Sequence, residues 1–278
     1  MVVVESAGIT DVGKKRAKNE DAILIDKNLN LFVVADGMGG HLAGEIASSL
    51  VVETLKTQLK TNGKTSMADD TISDDNTCSE HAKRLVSSIK MANAKVYQES
   101  SDNESCRGMA STVSAVFFSD EMFVAANVGD SPIYLVNNGD IEPISVAHTF
   151  ADEQTHGDSE KNIELQNKYQ HILTRGVGVK KTVKVDFCEI PYLKGDQLII
   201  CSDGLSNKVS AKEIFNEVTR HAPKKACRML VDMANERGGD DNITIIVLKI
   251  KKTNKNPISF HISHTGKKLY NFFHKLIQ

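Results

Sequence analysis

The chain has 278 residues, 40% of them hydrophobic and 25% charged, which suits one large or two small folded domains and excludes wholesale disorder. From Lys251 onward there are six lysines and no acid, so the first 250 residues hold the other 28 of the 34 basic side chains against all 36 acidic ones. A body this acidic is ill-suited to nucleic-acid phosphates and well suited to cations.

The N-terminal stretch MVVVESAG has no basic region and meets Glu5 early, which argues against a secretory signal. No run approaches the length of a membrane-spanning helix. The five cysteines, Cys78, Cys106, Cys188, Cys201 and Cys227, are odd in number and lack CxxC spacing. They read as reduced thiols in a cytoplasmic protein, neither a disulfide framework nor a zinc site.

In chain order, short apolar runs predict strands over Ala22–Asp26, Leu31–Ala35, Thr112–Phe118, Met122–Val128, Pro132–Val136, Leu198–Cys201 and Ile243–Ile250. Val183, Val185 and Phe187 alternate with polar residues and predict a further, half-buried strand. Helical spacing links Ile46, Ala47, Leu50, Val51, Leu55 and Leu59, and again Leu85, Ile89, Ala92 and Val96. Two later helices are predicted, Ala211–His221 capped by Ser210 and Pro223–Glu236 with Pro223 in its first turn. Helices come in pairs between groups of strands, which favours sheets covered by helices over a doubly wound parallel fold. The polar stretches Thr61–Thr77 and Phe150–Lys168 predict long loops.

The chemistry lies at strand ends. The run Leu31–Ala35 ends in Asp36-Gly37, Leu198–Ser202 ends in Asp203-Gly204, and Phe123–Val128 ends in Gly129-Asp130. The strand from Ile243 is preceded by Asp240-Asp241-Asn242. One Asp-Gly after a strand is an ordinary turn. Four carboxylate-bearing strand ends are different, because clustered carboxylates repel one another unless a cation neutralises them. Oxygen donors without a His/Cys set point to Mg²⁺ or Mn²⁺. Two such ions about 3.5–4 Å apart can polarise a phosphoryl group and activate a water for in-line attack. The segment from Asp11 to Asp21 adds Arg16, whose planar fork suits phosphate oxygens, and the acids Glu20 and Asp21.

These residues fall into ordered motifs. They are Gly13 to Arg16 to Asn19-Glu20-Asp21, Val34-Ala35-Asp36-Gly37-Met38-Gly39-Gly40-His41, Asn127-Val128-Gly129-Asp130-Ser131, Thr174-Arg175-Gly176-Val177-Gly178, Cys201-Ser202-Asp203-Gly204-Leu205 and Gly239-Asp240-Asp241-Asn242-Ile243-Thr244. The set resembles the metal-dependent serine/threonine protein phosphatases of type 2C, in their bacterial form. The resemblance implies an α+β fold, a four-layer αββα sandwich of two antiparallel sheets flanked by helix pairs, with the metals at one edge. It implies a dinuclear Mn²⁺ or Mg²⁺ centre in which Asp36 bridges both ions, the Gly37 carbonyl joins one, and Asp203 and Asp241 complete the first. Asp241 is preferred to Asp240 because it directly precedes Asn242. A third, weaker ion would sit at Asp130 and Asp203. Glu20 and Asp21 would orient bound waters, Arg16 would hold the phosphate, and His41 would give a proton to the leaving alcohol. Phe150–Lys168 matches the family's flap beside the site. Two departures stand out, Pro132 where the family usually has Arg and Ala147 where it commonly has Asp. Pro132 would remove a structural ion pair and Ala147 an anchor of the flap.

The function implied is hydrolysis of phosphoserine and phosphothreonine in proteins by a metal-activated water, opposing a serine/threonine kinase. The alternatives are a phosphoprotein-binding module with weak catalysis and another two-metal phosphoesterase. Residues 1–250 form the expected catalytic domain and 251–278 a basic tail. Leu269, Tyr270, Phe272, Phe273, Leu276 and Ile277 fall on one helical face there, flanked by Lys267, Lys268 and Lys275. Such a tail suits weak docking on a protein or an anionic membrane surface through residues 257–278.

Overall fold

The computed structural model describes residues 2–39, 43–61, 78–120, 122–150 and 172–253. His41, the acidic stretch after Thr61, the segment 151–171 and the tail from residue 254 lie outside the described residues.

Eleven strands alternate with five α-helices among the described residues. They run in the order β1 (Val3–Asp11), β2 (Asp21–Asp26), β3 (Leu31–Met38), α1 (Gly44–Lys60), α2 (Glu80–Asp102), β4 (Ala110–Ser111), β5 (Val113–Phe118) and β6 (Met122–Val128). The chain continues through β7 (Ile133–Asn137), β8 (Asp140–Pro143), β9 (Asp186–Pro191), β10 (Gln197–Cys201), α3 (Asp203–Ser206), α4 (Ala211–Arg220), α5 (Pro223–Glu236) and β11 (Ile243–Lys252). One sheet has the order β1-β11-β10-β7-β8 and the other β2-β3-β5-β6-β9, with β4 pairing to β3. All ladders are antiparallel.

Side-chain alternation builds the layers. Along β3, Phe32 and Val34 point into a core between the two sheets, where they join Val116, Phe118, Leu198, Ile200 and Ile246. Leu31, Val33 and Ala35 point the other way, against Val51, Leu55, Leu85 and Ile89 of α1 and α2. On β11 the helix-facing set is Ile243, Ile245 and Val247, packed on Ile214, Val218, Leu230 and Val231 of α4 and α5. Strands covered on both faces must be apolar at successive positions. That is why they read as continuous runs although the sheets are antiparallel.

The αββα expectation therefore holds, and so do the helix starts. Ser210 and Glu213 form a reciprocal capping box at α4, and Pro223 opens α5. The short elements β4, β8 and α3 were not predicted, and two longer strands also differ. The strand expected around Val183–Phe187 begins only at Asp186, and Phe187 is exposed. Asp186 is pinned by Arg175 and His148 and enters the sheet opposite Asn127, which sets the register from a polar contact. The N-terminal strand β1 was not foreseen; Ser6 and Gly8 interrupt its apolar pattern. Gly8 packs closely, since a Cβ there would lie 2.6 Å from Ile23 Cδ1, which would have to shift.

Candidate metal-binding site

The two sheets bring one end of each key strand to a common edge. Asp36 follows the buried run Leu31–Ala35 of β3, Asp21 opens β2, and the two are direct cross-strand partners. Gly129 and Asp130 follow β6, Asp203 begins α3 just after β10, and Asp241 precedes β11. Like charges placed directly opposite one another destabilise a ladder. The sheets thus impose an arrangement their carboxylates resist.

The backbone of Asp36 is held tightly. Its N–H donates to Thr112 Oγ1 at 3.0 Å, and its carbonyl accepts from Thr112 N–H at 2.8 Å and from Ser111 Oγ at 3.0 Å. Thr112 Oγ1 lies 2.9 Å from Ser131 Oγ, and a Cβ on Gly129 would strike the Thr112 methyl at 2.6 Å. Thr112 therefore sets the spacing between the Asp36 and Asp130 turns. Gly37 donates to the Glu20 carbonyl at 3.1 Å, and a Cβ on Gly37 would meet Gly44 O at 2.1 Å. Only glycine permits that approach.

The loop from Val12 to Glu20 is fastened by Asn242. Its Oδ1 accepts from Glu20 N–H at 2.8 Å, while its Nδ2 donates to the carbonyls of Val12 and Lys18 at 3.0 and 2.9 Å. Arg16 on this loop donates from Nη2 to Asp241 Oδ2 at 2.8 Å. The neighbouring acids part ways here. Asp240 is paired with Lys15 and Lys208, which hold its carboxyl down at about 2. Asp241 instead acts on Asp36, Asp21 and Glu20.

Electrostatics follow from that crowding. Burial, and then the charges of Asp21, Asp203, Asp130 and Asp241, push the Asp36 carboxyl well above the usual carboxylate range. Burial raises Asp21 to about 6 against the nearby Thr244 and Ser202 hydroxyls, with Asp203 and Asp241 adding to the rise. Ser202 Oγ donates to Asp21 Oδ2 at 2.9 Å, whereas the buried Asp21 Oδ1 has no hydrogen-bond partner. Glu20 is raised by burial, partly countered by Arg16. Among the described residues no three His, Cys, Asp or Glu side chains already close on one point. An all-oxygen donor set, mutually repelling, with an orphaned buried carboxylate oxygen, fits hard divalent cations.

Each predicted site residue except His41, which is outside the described residues, thus lies at this edge. Ser111, Thr112, Ser131 and Ser202 were given no role; Ser131 and Ser202 lie inside the ordered motifs, but a hydroxyl beside a strand does not announce its partner. Asn242→Ala removes three hydrogen bonds from a buried side chain. It should lower unfolding free energy by about 2–3 kcal/mol in chemical denaturation. A loss below about 0.5 kcal/mol would show that the loop is held by other contacts.

A family model described as Protein phosphatase 2C matches residues 13–235. The chain is 31% identical over 251 residues to the serine/threonine phosphatase stp of Listeria monocytogenes, covering 88% of this chain and 96% of the relative. It resembles the solved serine/threonine phosphatase of S. agalactiae at a TM-score of 0.77 and 29% identity, covering 90% of this chain and 100% of the other. The catalytic domain of the serine/threonine protein phosphatase PstP, solved in complex with two manganese ions, gives a TM-score of 0.74 and 26% identity over 91% of this chain and 100% of that domain. The ordered motifs, the two-sheet frame and these matches together place the chain in the protein phosphatase 2C family.

Proposed function

We propose that the chain hydrolyses phosphoserine and phosphothreonine in proteins at a dinuclear Mn²⁺ or Mg²⁺ centre, opposing a serine/threonine kinase. One observation carries the reading: Asp36 is the focus of four other carboxylates at a shared sheet edge, an arrangement that calls for cations. The two manganese ions bound by the related PstP domain support the choice of metal.

In this reading Asp36, the Gly37 carbonyl, Asp203 and Asp241 would hold the two ions, and Asp130 with Asp203 would hold a weaker third. When bound, the ions supply Lewis acidity and a water activated for in-line attack on phosphorus. The chain's own residues do the rest. Glu20 and Asp21, fixed by Asn242 and Ser202, accept hydrogen bonds from water and orient it. Arg16 has donors beyond the one it gives Asp241, and these bind phosphate oxygens. His41 gives the leaving alcohol its proton. Residues 1–250 form the catalytic domain, and 251–278 a tail for weak docking on a protein or membrane surface.

Asp36→Asn should reduce phosphopeptide hydrolysis at saturating Mn²⁺ by at least about a hundredfold, because even outer-shell changes at metal centres lose 10–100-fold. Turnover near wild type would overturn the dinuclear reading, and equal hydrolysis of nucleotides would favour a broader phosphoesterase. Arg16→Ala should raise KM for a phosphopeptide roughly ten- to hundredfold, the loss of a charge-assisted hydrogen bond, with kcat changed less. Arg16→Lys should recover little, since an ammonium lacks the planar fork. An unchanged KM in Arg16→Ala would make this arginine only a counter-ion of Asp241.

A further inference from the structure

The turn that carries Asp130 is gripped by a side chain outside every ligand motif. The β5–β6 ladder ends at the pair Val113 and Val128, so Gly129 has left the sheet. Its φ of +110° is a conformation that L side chains rarely adopt. His148 holds this peptide from both sides. Its backbone N–H donates to Gly129 O at 3.0 Å, and Gly129 N–H donates to His148 Nδ1 at 2.9 Å. The imidazole is buried, with 2% exposure.

That second bond assigns the acceptor and donor nitrogens of the ring. Nδ1 accepts, so Nε2 carries the hydrogen, and it donates to Asp186 Oδ2 at 2.7 Å. Arg175 Nη1 donates to the same oxygen at 2.8 Å and lies 2.9 Å from Nε2, so two donors converge on one carboxylate oxygen. Burial pushes the Asp186 carboxyl up, but the His148 bond and the Arg175 charge outweigh it and hold it at about 2. Asp186 is thus an anion that fixes both the tautomer and the tilt of His148. Thr174 N–H donates to the His148 carbonyl at 2.9 Å, which ties the segment bearing Arg175 to the same point.

We infer that His148, oriented by Asp186 and Arg175, is a positioning residue that fixes the Gly129–Asp130 turn and so presents Asp130 to the weaker third cation. The second half of this inference rests on the proposed role of Asp130. The device is built like the partner network behind a metal-ligating histidine, but here it steadies the backbone of a carboxylate ligand.

Two measurements on the full chain test it. The first is amide hydrogen exchange in chelator, which needs no metal and no activity. His148→Ala should speed exchange at Gly129 and Asp130 by at least about tenfold while leaving Val124 unchanged, because only the local opening is altered. His148→Asn, which keeps an acceptor near the Nδ1 position, should restore most of the protection. Wild-type exchange at Gly129 in His148→Ala would overturn the inference. The second is titration with Mn²⁺ alone. His148→Ala should weaken the weakest site by about 10–100-fold and spare the tighter ones, with kcat falling more than KM rises. If Asp130→Asn weakens that site and His148→Ala does not, the positioning role is wrong. If Asp130→Asn leaves the titration unchanged, the assignment of Asp130 is wrong, and exchange at Gly129 alone decides the role of His148.

Discussion

Repulsion among carboxylates at one edge of the sandwich is the constraint around which the rest of the molecule is arranged. Asp21 and Asp36 face each other across the β2–β3 ladder, and Asp130, Asp203 and Asp241 add their charges to Asp36. The folded chain consequently holds protons on this cluster more tightly than an unfolded one. In cation-free buffer the contribution of Asp21 is full below its ordinary value of about 3.9 and lost as pH rises through about 6. At neutral pH the cluster opposes folding, and the frame must outweigh it.

That frame is apolar on both faces of its central strands. Leu198, Ile199, Ile200, Ile245, Ile246 and Val247 are all fully buried, so β10 and β11 cannot slide or tilt without opening a core. Rigid strands deliver their terminal residues to fixed points. Short polar contacts then set the last few degrees: Thr112 for Asp36, Ser202 for Asp21, Asn242 for the Arg16 loop and His148 for the turn before Asp130. The charge pairs nearby serve as separators. Lys15 and Lys208 draw Asp240 away, which leaves Asp241 as the acid of that pair directed at the cluster.

The parts legible in the sequence were those whose physics is local. Asp-Gly after an apolar run marks a strand end, 3.6-residue spacing marks α1 and α2, and Ser210 with Glu213 marks the start of α4. The acids of the cluster could be read off for the same reason. What could not be read depends on partners far apart in the chain. Nothing near His148 announces that Asp186 lies 2.7 Å from its ring, or that Gly129 bonds its other nitrogen. The same contact explains the misplaced strand, since Asp186 enters the sheet as an anchored anion and carries Phe187 to an exposed position. Strand β1 was hidden because Ser6 and Gly8 interrupt its apolar pattern, and at Gly8 even a Cβ would crowd Ile23 and Ile25 of β2.

The most direct test of the carboxylate constraint is thermal unfolding of the wild type and Asp36→Asn at pH 7, each in chelator and in saturating Mn²⁺. Removing one crowded charge should raise the melting temperature in chelator, while Mn²⁺ should stabilise the wild type far more than the variant, because binding to the folded state alone adds stability by mass action. A variant less stable than wild type in chelator, or equally stabilised by Mn²⁺, would contradict the account.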